Sequence, residues 1–247
     1  MIDYLSYTYS PREYGYTWLK GFCMGAVLLY LFYDNVLIGI IGGVFAGILY
    51  AVSHKKYLIS MRKWELNMEF KEGIAGISTA LRAGYSIENA FTEAEKDLRI
   101  LYNGQSYIEK EFAYIEKQLA LNRTVEELLH ELAMRSGIED IESFAGVFIT
   151  AKRTGGDMVA IIQSTVKNIN EKLEVKREIQ TMVTAKKLEG KIMNLIPPLM
   201  IAYLRISSPG FLDPLYHNLT GMLIMSAMLG IYVLAYQIEK QILDMEV

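Results

Sequence analysis

The chain has 247 residues, 52% of them hydrophobic, a formal net charge of -3 and a mean hydropathy of +0.19. A near-neutral total gives no electrostatic footprint for nucleic acid, and a single cysteine, Cys23, excludes a disulfide framework and a Cys/His metal set. Of the 25 Lys and Arg, all but Arg12, Lys20, Arg205 and Lys240 lie between Lys55 and Lys191, so the chain reads as apolar end, charged middle, apolar end.

Residues 1–53 read as a tail followed by a membrane hairpin. Tyr4, Tyr7, Tyr9, Tyr14, Tyr16 and Trp18 crowd the approach to the first apolar run and suit an interfacial aromatic belt. Spans are predicted over about 17–33 and 36–52, at the short end of what crosses a hydrocarbon core of roughly 30 Å. Only Asp34-Asn35 separates them, which permits nothing but an antiparallel pair. The first run lacks a basic leader and a small-residue cleavage site, so it is expected to be retained. Gly39, Gly43 and Gly47 recur every four residues, as do Gly21 and Gly25, a spacing that lets helix backbones approach closely in lipid.

Residues 54–188 contain no proline and show apolar residues at helical spacing. Leu66, Phe70, Ile74, Ile77 and Leu81 make one stripe. Ile108, Phe112, Ile115 and Leu119 make another. Val125, Leu128, Leu129 and Leu132 follow, then Ile141, Phe144, Val147 and Phe148, then Ile162, Val166, Ile169 and Leu173. With a helix over 86–102, a six-helix bundle is predicted. Its boundaries have chemical causes. Gly84 ends the first helix and Ser86 caps the next. Asn103-Gly104 and Ser106 mark the second break. Asn122 takes a left-handed turn, and Thr124 with Glu127 forms a capping box. Gly137 closes the fourth helix, Gly155-Gly156 ends the fifth, and Asp157 caps the sixth.

Residues 189–247 read as a second hairpin, with spans over about 189–205 and 219–238 and a tail. Pro197-Pro198 is expected to kink the first of these. Ser207-Ser208-Pro209-Gly210 and Asp213-Pro214 are turn formers, and Phe211, Leu212, Leu215 and Tyr216 are expected at the lipid interface. Lys55, Lys56, Arg62 and Lys63 follow the second span, and Lys186, Lys187 and Lys191 precede the third. The short outer loops offer only Arg205 and His217. The positive-inside rule then puts the central domain and both termini in the cytoplasm. The predicted fold class is all-α, polytopic, with four transmembrane helices.

Three segments carry a family resemblance: GISTALRAGYSIENAF, the run from IEKQLALNRTVEELL through FITAKRTGGDMVAIIQSTVKNI, and IPPLMIAYLRISSPGFLDPLYHNLTG. From about Met61 through the fourth span the chain resembles the type II secretion system F family, inner-membrane platform proteins of secretion systems and type IV pili. One cytoplasmic domain with two spans on either side resembles the Tad-type (Flp pilus) branch. The resemblance implies a scaffold rather than a catalyst. The partners it implies are a secretion ATPase, whose motion would be coupled to pilin extraction, together with pilin subunits, a second F-family platform protein and the lipid bilayer, in an oligomer in the bacterial inner membrane. Gly84, Gly155, Gly156 and Asp157 fall on the family's turns, whereas Asn122 stands where glycine is usual. Lys152 and Arg153 are candidate ATPase contacts.

No cofactor, metal or catalytic residue is expected. Gly190-Lys191 lacks the upstream glycine and the Ser/Thr of a phosphate loop. His130-Glu131 begins like a zinc-protease helix, but Met134 stands where the second histidine is needed. The alternative is a small helical transporter or channel, for which Pro197-Pro198 would break a helix at a site. No charge falls mid-span, which speaks against it.

Overall fold

The computed structural model describes residues 3–154, 157–216 and 218–245. Among them all regular structure is helical: α1 (Pro11–Tyr33), α2 (Val36–Arg82), α3 (Ile87–Tyr102), α4 (Tyr107–Leu119), α5 (Val125–Ser136), α6 (Glu139–Thr154), α7 (Met158–Ser207), α8 (Asp213–Tyr216) and α9 (Leu219–Met245). Three stretches are long and apolar enough to cross a membrane: Pro11–Tyr33, the apolar part of Val36–Arg82, and Leu219–Ile242. The expected span over 189–205 is the last part of α7. Asn194, Pro197, Pro198 and Arg205 dilute its apolar residues, and it does not stand out by hydropathy as the other three do.

The chain divides into two compact units. The first holds the chain up to Thr8 together with Lys56–Val175, and the second holds Tyr9–Lys55 and the chain from Lys176 onward. Helices α2 and α7 contribute to both, and neither the 53/54 nor the 188/189 boundary expected from sequence coincides with a helix end. His54-Lys55-Lys56 and Leu188-Glu189 carry no residue that stops a helix, so the backbone ladder continues.

In the first unit the helix ends follow the predicted chemistry. The Ser86 hydroxyl accepts from the Asn89 N–H at 3.3 Å, Ser106 from Glu109 at 3.0 Å, and Thr124 from Glu127 at 3.3 Å. The Glu127 carboxylate, expected to complete a box with Thr124, lies instead 3.7 Å from Arg123. The core is one cluster. Phe70 meets Phe144 edge-on at 5.5 Å, and Phe91 lies against both Phe112 and Phe148. The predicted stripes of α2, α5 and α7 are buried throughout, and that of α4 down to Ile115, with Leu119 partly buried. Val147 departs from its stripe and is 39% exposed, because Phe144 and Phe148, one turn apart, already fill the inward face of α6. Helix α3, predicted without a stripe, buries Ala90, Phe91, Ala94 and Leu98.

The second unit packs α1 against the N-terminal part of α2. A Cβ at Gly43 would lie 2.9 Å from the Ala26 methyl, and one at Gly47 2.9 Å from the Trp18 indole, so glycine sets how near the two backbones come. Helix α1 begins at Pro11, earlier than predicted. Proline at the first helical position and the Glu13 carboxylate, which accepts from the Ser10 N–H at 3.1 Å, account for that start. Leu212 and Tyr216, expected at the lipid interface, are buried against Phe32 and Met225, whereas Phe211 is exposed. Asp213-Pro214 opens the single turn of α8 rather than a plain bend.

The burial pattern of α6 is checkable by thermal unfolding of the detergent-solubilised chain. Phe148→Ala, on the buried face, is expected to cost about 3–5 kcal/mol, whereas Val147→Ala, on the exposed flank, is expected to stay within about 0.5 kcal/mol.

Candidate functional site

Helices α3 to α6 run back and forth, so the turn after α2, the turn before α5 and the α6–α7 junction fall at one end of the first unit. Lys152 near the end of α6 pairs with Glu126 in the first turn of α5 at 2.8 Å, which ties two of these turns together. Gly84 has φ +89° and Asn122 φ +61°. Both need the left-handed region, which glycine enters freely and asparagine tolerates through its short polar side chain. The Asp157 carboxylate accepts from the Ala160 N–H at 3.1 Å and so caps α7. Gly155 and Gly156 lie outside the described residues. Arg153 is exposed, and Arg82, also exposed, reaches Thr79 at 3.4 Å. This end therefore presents Arg82, Lys152 and Arg153 around chain reversals.

The opposite end holds several buried polar groups. Glu69 on α2 accepts from the N–H groups of Tyr107 and Ile108 at 2.8 and 3.0 Å, so a carboxylate of one helix caps the start of another. Burial pushes its pKa up, against those two N–H donors. Asp140 accepts from Asn67 and from Lys172, each at 2.7 Å. Glu111 takes a forked pair from Arg135 at 3.0 and 2.5 Å.

Into this end inserts the N-terminal segment, which sequence reasoning assigned to a lipid belt. Tyr4 is 0% exposed, its hydroxyl donates to Glu111 at 2.9 Å, and its ring meets Tyr107 edge-on at 5.9 Å. Tyr7 lies under the Arg62 guanidinium at 4.8 Å. Burial first, and then the Glu111 charge, push the Tyr4 hydroxyl far above its ordinary range, so it remains a donor. A tyrosine ahead of a span carries no local mark of this contact, because its partners lie more than a hundred positions away.

Comparison with known families bears on this arrangement. The family model described as type II secretion system (T2SS), protein F, matches residues 74–205, more than half of the chain. The chain belongs to that family. Neither a curated protein nor a solved structure gives a match. Family members are membrane platform proteins of secretion or pilus assembly, and the spans with the family make this F-family protein a multi-pass inner-membrane protein. Among its described residues no three His, Cys, Asp or Glu side chains converge as a metal site would require.

The matched region of the F-family protein ends with the proline-bearing part of α7. Proline has no N–H, so Pro198 leaves the Asn194 carbonyl without its helical donor. The Tyr232 hydroxyl of α9 supplies one at 3.0 Å, and the Asn194 side chain donates to the Glu239 carboxylate. At the other end of this stretch Arg205 pairs with Asp34 and donates to the Tyr30 hydroxyl at 3.0 Å, while the Tyr216 hydroxyl donates to the Leu31 carbonyl at 2.7 Å.

Three substitutions test the polar end of the F-family protein. Tyr4→Phe keeps the ring and loses one hydrogen bond to a charged group, for a cost of about 1–2 kcal/mol, and Tyr4→Ala is expected to release residues 3–8, read as faster amide exchange there. Lys172 is the pH-sensitive member. Its hydrogen bond to Asp140, first, raises its pKa above the ordinary value. Its stabilisation is therefore full below the usual lysine range and disappears as pH rises through the raised value. Lys172→Met is expected to flatten that alkaline decline in the melting temperature.

Proposed function

We propose that this protein is a non-enzymatic Tad-type platform with four spans and a six-helix cytoplasmic bundle, and that it couples a secretion ATPase to extraction of pilin from the membrane. The observation that carries the reading is the F-family match across residues 74–205. In this reading 189–205 is the third of the four spans. Its polar groups support that, since they find partners on α1, on α9 and at the α1–α2 turn instead of facing hydrocarbon. A soluble helix would leave the same groups to water.

Orientation follows from charge and from the N-terminal anchor. Lys55, Lys56, Arg62, Lys63, Lys186, Lys187 and Lys191 flank the central domain, which favours the cytoplasm for it. Docking of Tyr4 in that same unit supports a cytoplasmic N-terminus, and four spans return the C-terminus to the same side. The end bearing Gly84, Asn122 and Asp157 is the surface for the ATPase. Lys152 and Arg153 offer it cations, Lys152 by leaving its exposed pair with Glu126, a pair of a kind worth little by itself. A one-domain member is expected to work with a second F-family protein in an oligomer.

Reversing both charges, Lys152→Glu with Arg153→Glu, is expected to lower ATPase co-purification roughly tenfold, the loss of one or two good charge contacts. Unchanged recovery removes the two residues from the contact. Topology is read by cysteine labelling after Cys23→Ala. A cysteine at Lys110 is expected to label only from the cytoplasm, and one at Asp213 only from outside.

A further inference from the structure

Glu239 is an ionisable residue at the end of a candidate span, and such residues mark functional sites with a partner to be named. It sits on α9 facing α7. Its carboxylate accepts from the Asn194 amide and lies directly against Gly190, where a Cβ would collide with it. Among the described residues no cation stands in ion-pair contact with it, although Lys186, Lys187, Lys191 and Lys240 lie on the same two helices. The carboxylate is thus held in place by an amide and a glycine, with acceptor capacity left over.

Beside it a groove of about 510 Å³ opens between α7 and α9, lined among others by Lys186, Glu189, Met193, Ile238, Glu239 and Ile242. Its walls are hydrocarbon. Its rim carries the Lys186 ammonium, paired with Glu189 at 2.9 Å in a contact where both side chains are mostly exposed. An exposed pair of that kind is worth little, so the ammonium is free to turn to another anion.

We infer that this groove is a binding site for an aminophospholipid: the primary ammonium of the headgroup sits on Glu239, the phosphate faces Lys186, and an acyl chain runs along Met193, Ile238 and Ile242. The inference rests on the reading of α7 and α9 as spans whose Glu239 end meets the cytoplasmic surface. Charge complementarity selects the occupant. A carboxylate on the floor and an ammonium at the rim match a zwitterion in which a cation extends beyond a phosphate. A trimethylammonium headgroup has the charge but no N–H to donate to the carboxylate, and a headgroup without an amine brings only negative charge toward Glu239. A water-soluble amine has nothing to lay on the apolar walls.

The test uses the full chain, reconstituted in vesicles of phosphatidylglycerol with either phosphatidylethanolamine or phosphatidylcholine, then extracted for native mass spectrometry of retained lipid. Phosphatidylethanolamine is expected to be retained roughly tenfold over phosphatidylcholine, the value of one charge-assisted hydrogen bond. Glu239→Gln, which keeps an acceptor for Asn194, is expected to erase that selectivity. Gly190→Ala, which pushes the carboxylate aside, is expected to reduce it, and Lys240→Ala to leave it intact. Equal retention of the two lipids by the unmodified chain overturns the site, as does selectivity that survives Glu239→Gln or a preference for phosphatidylglycerol. Loss of a dimer in Glu239→Gln without change in lipid retention assigns the groove to a second copy and also overturns it. A chain that stays soluble without detergent refutes the spans themselves, whereas one that reconstitutes normally without headgroup preference refutes the lipid site alone.

Discussion

Hydrocarbon supplies no hydrogen bonds, so a helix that crosses it must find a protein partner for each backbone group its own ladder leaves open. In α7 a backbone group left open in this way is the Asn194 carbonyl. Pro198 removes the donor that the Asn194 carbonyl would have used, and the Tyr232 hydroxyl replaces it from the neighbouring helix. The Asn194 side chain then engages Glu239 on the same neighbour. One residue thus fixes the pairing of α7 with α9. The Arg205–Asp34 pair at the far end of the same stretch fixes α7 against the α1–α2 turn. Between those two ties the α7 residues are only moderately apolar, and this stretch is not among the three that are long and apolar enough to cross a membrane.

The first unit shows a parallel economy of polar contacts. Three of its buried carboxylates, Glu69, Glu111 and Asp140, gather at one end, each satisfied by backbone N–H groups or by a cation. A buried carboxylate left without partners is costly, so these contacts specify which helix ends meet. The other end is made of chain reversals at Gly84 and Asn122 and of exposed cations. The ordered contacts thus lie on one side and an accessible, charged rim on the other.

Helix ends were the most legible part of the sequence. Ser86, Ser106, Thr124 and Gly137 act within one turn of themselves, and local chemistry is what a sequence displays directly. The inward stripes of α2, α5 and α7 were legible for the same reason, because a 3.6-residue period needs no knowledge of the partner. Val147 departs from its stripe because the two phenylalanines beside it compete for one face. Tyr4, Leu212 and Tyr216 are buried where local sequence leaves the choice open, because aromatic and apolar residues near a span suit a lipid interface and a protein core equally well.

By itself the sequence determined the segregation of apolar ends from a charged centre, the helical period and the places where helices start and stop, since each depends on residues within a few positions of one another. It also carried the family match across residues 74–205. Only the tertiary structure decided that Tyr4 reaches Glu111, that Tyr232 answers Pro198, that Arg205 answers Asp34 and that Lys152 meets Glu126. Those contacts join residues separated by 26 to 171 positions, and which of several suitable partners a polar group takes is settled by packing of the whole chain rather than by any local preference.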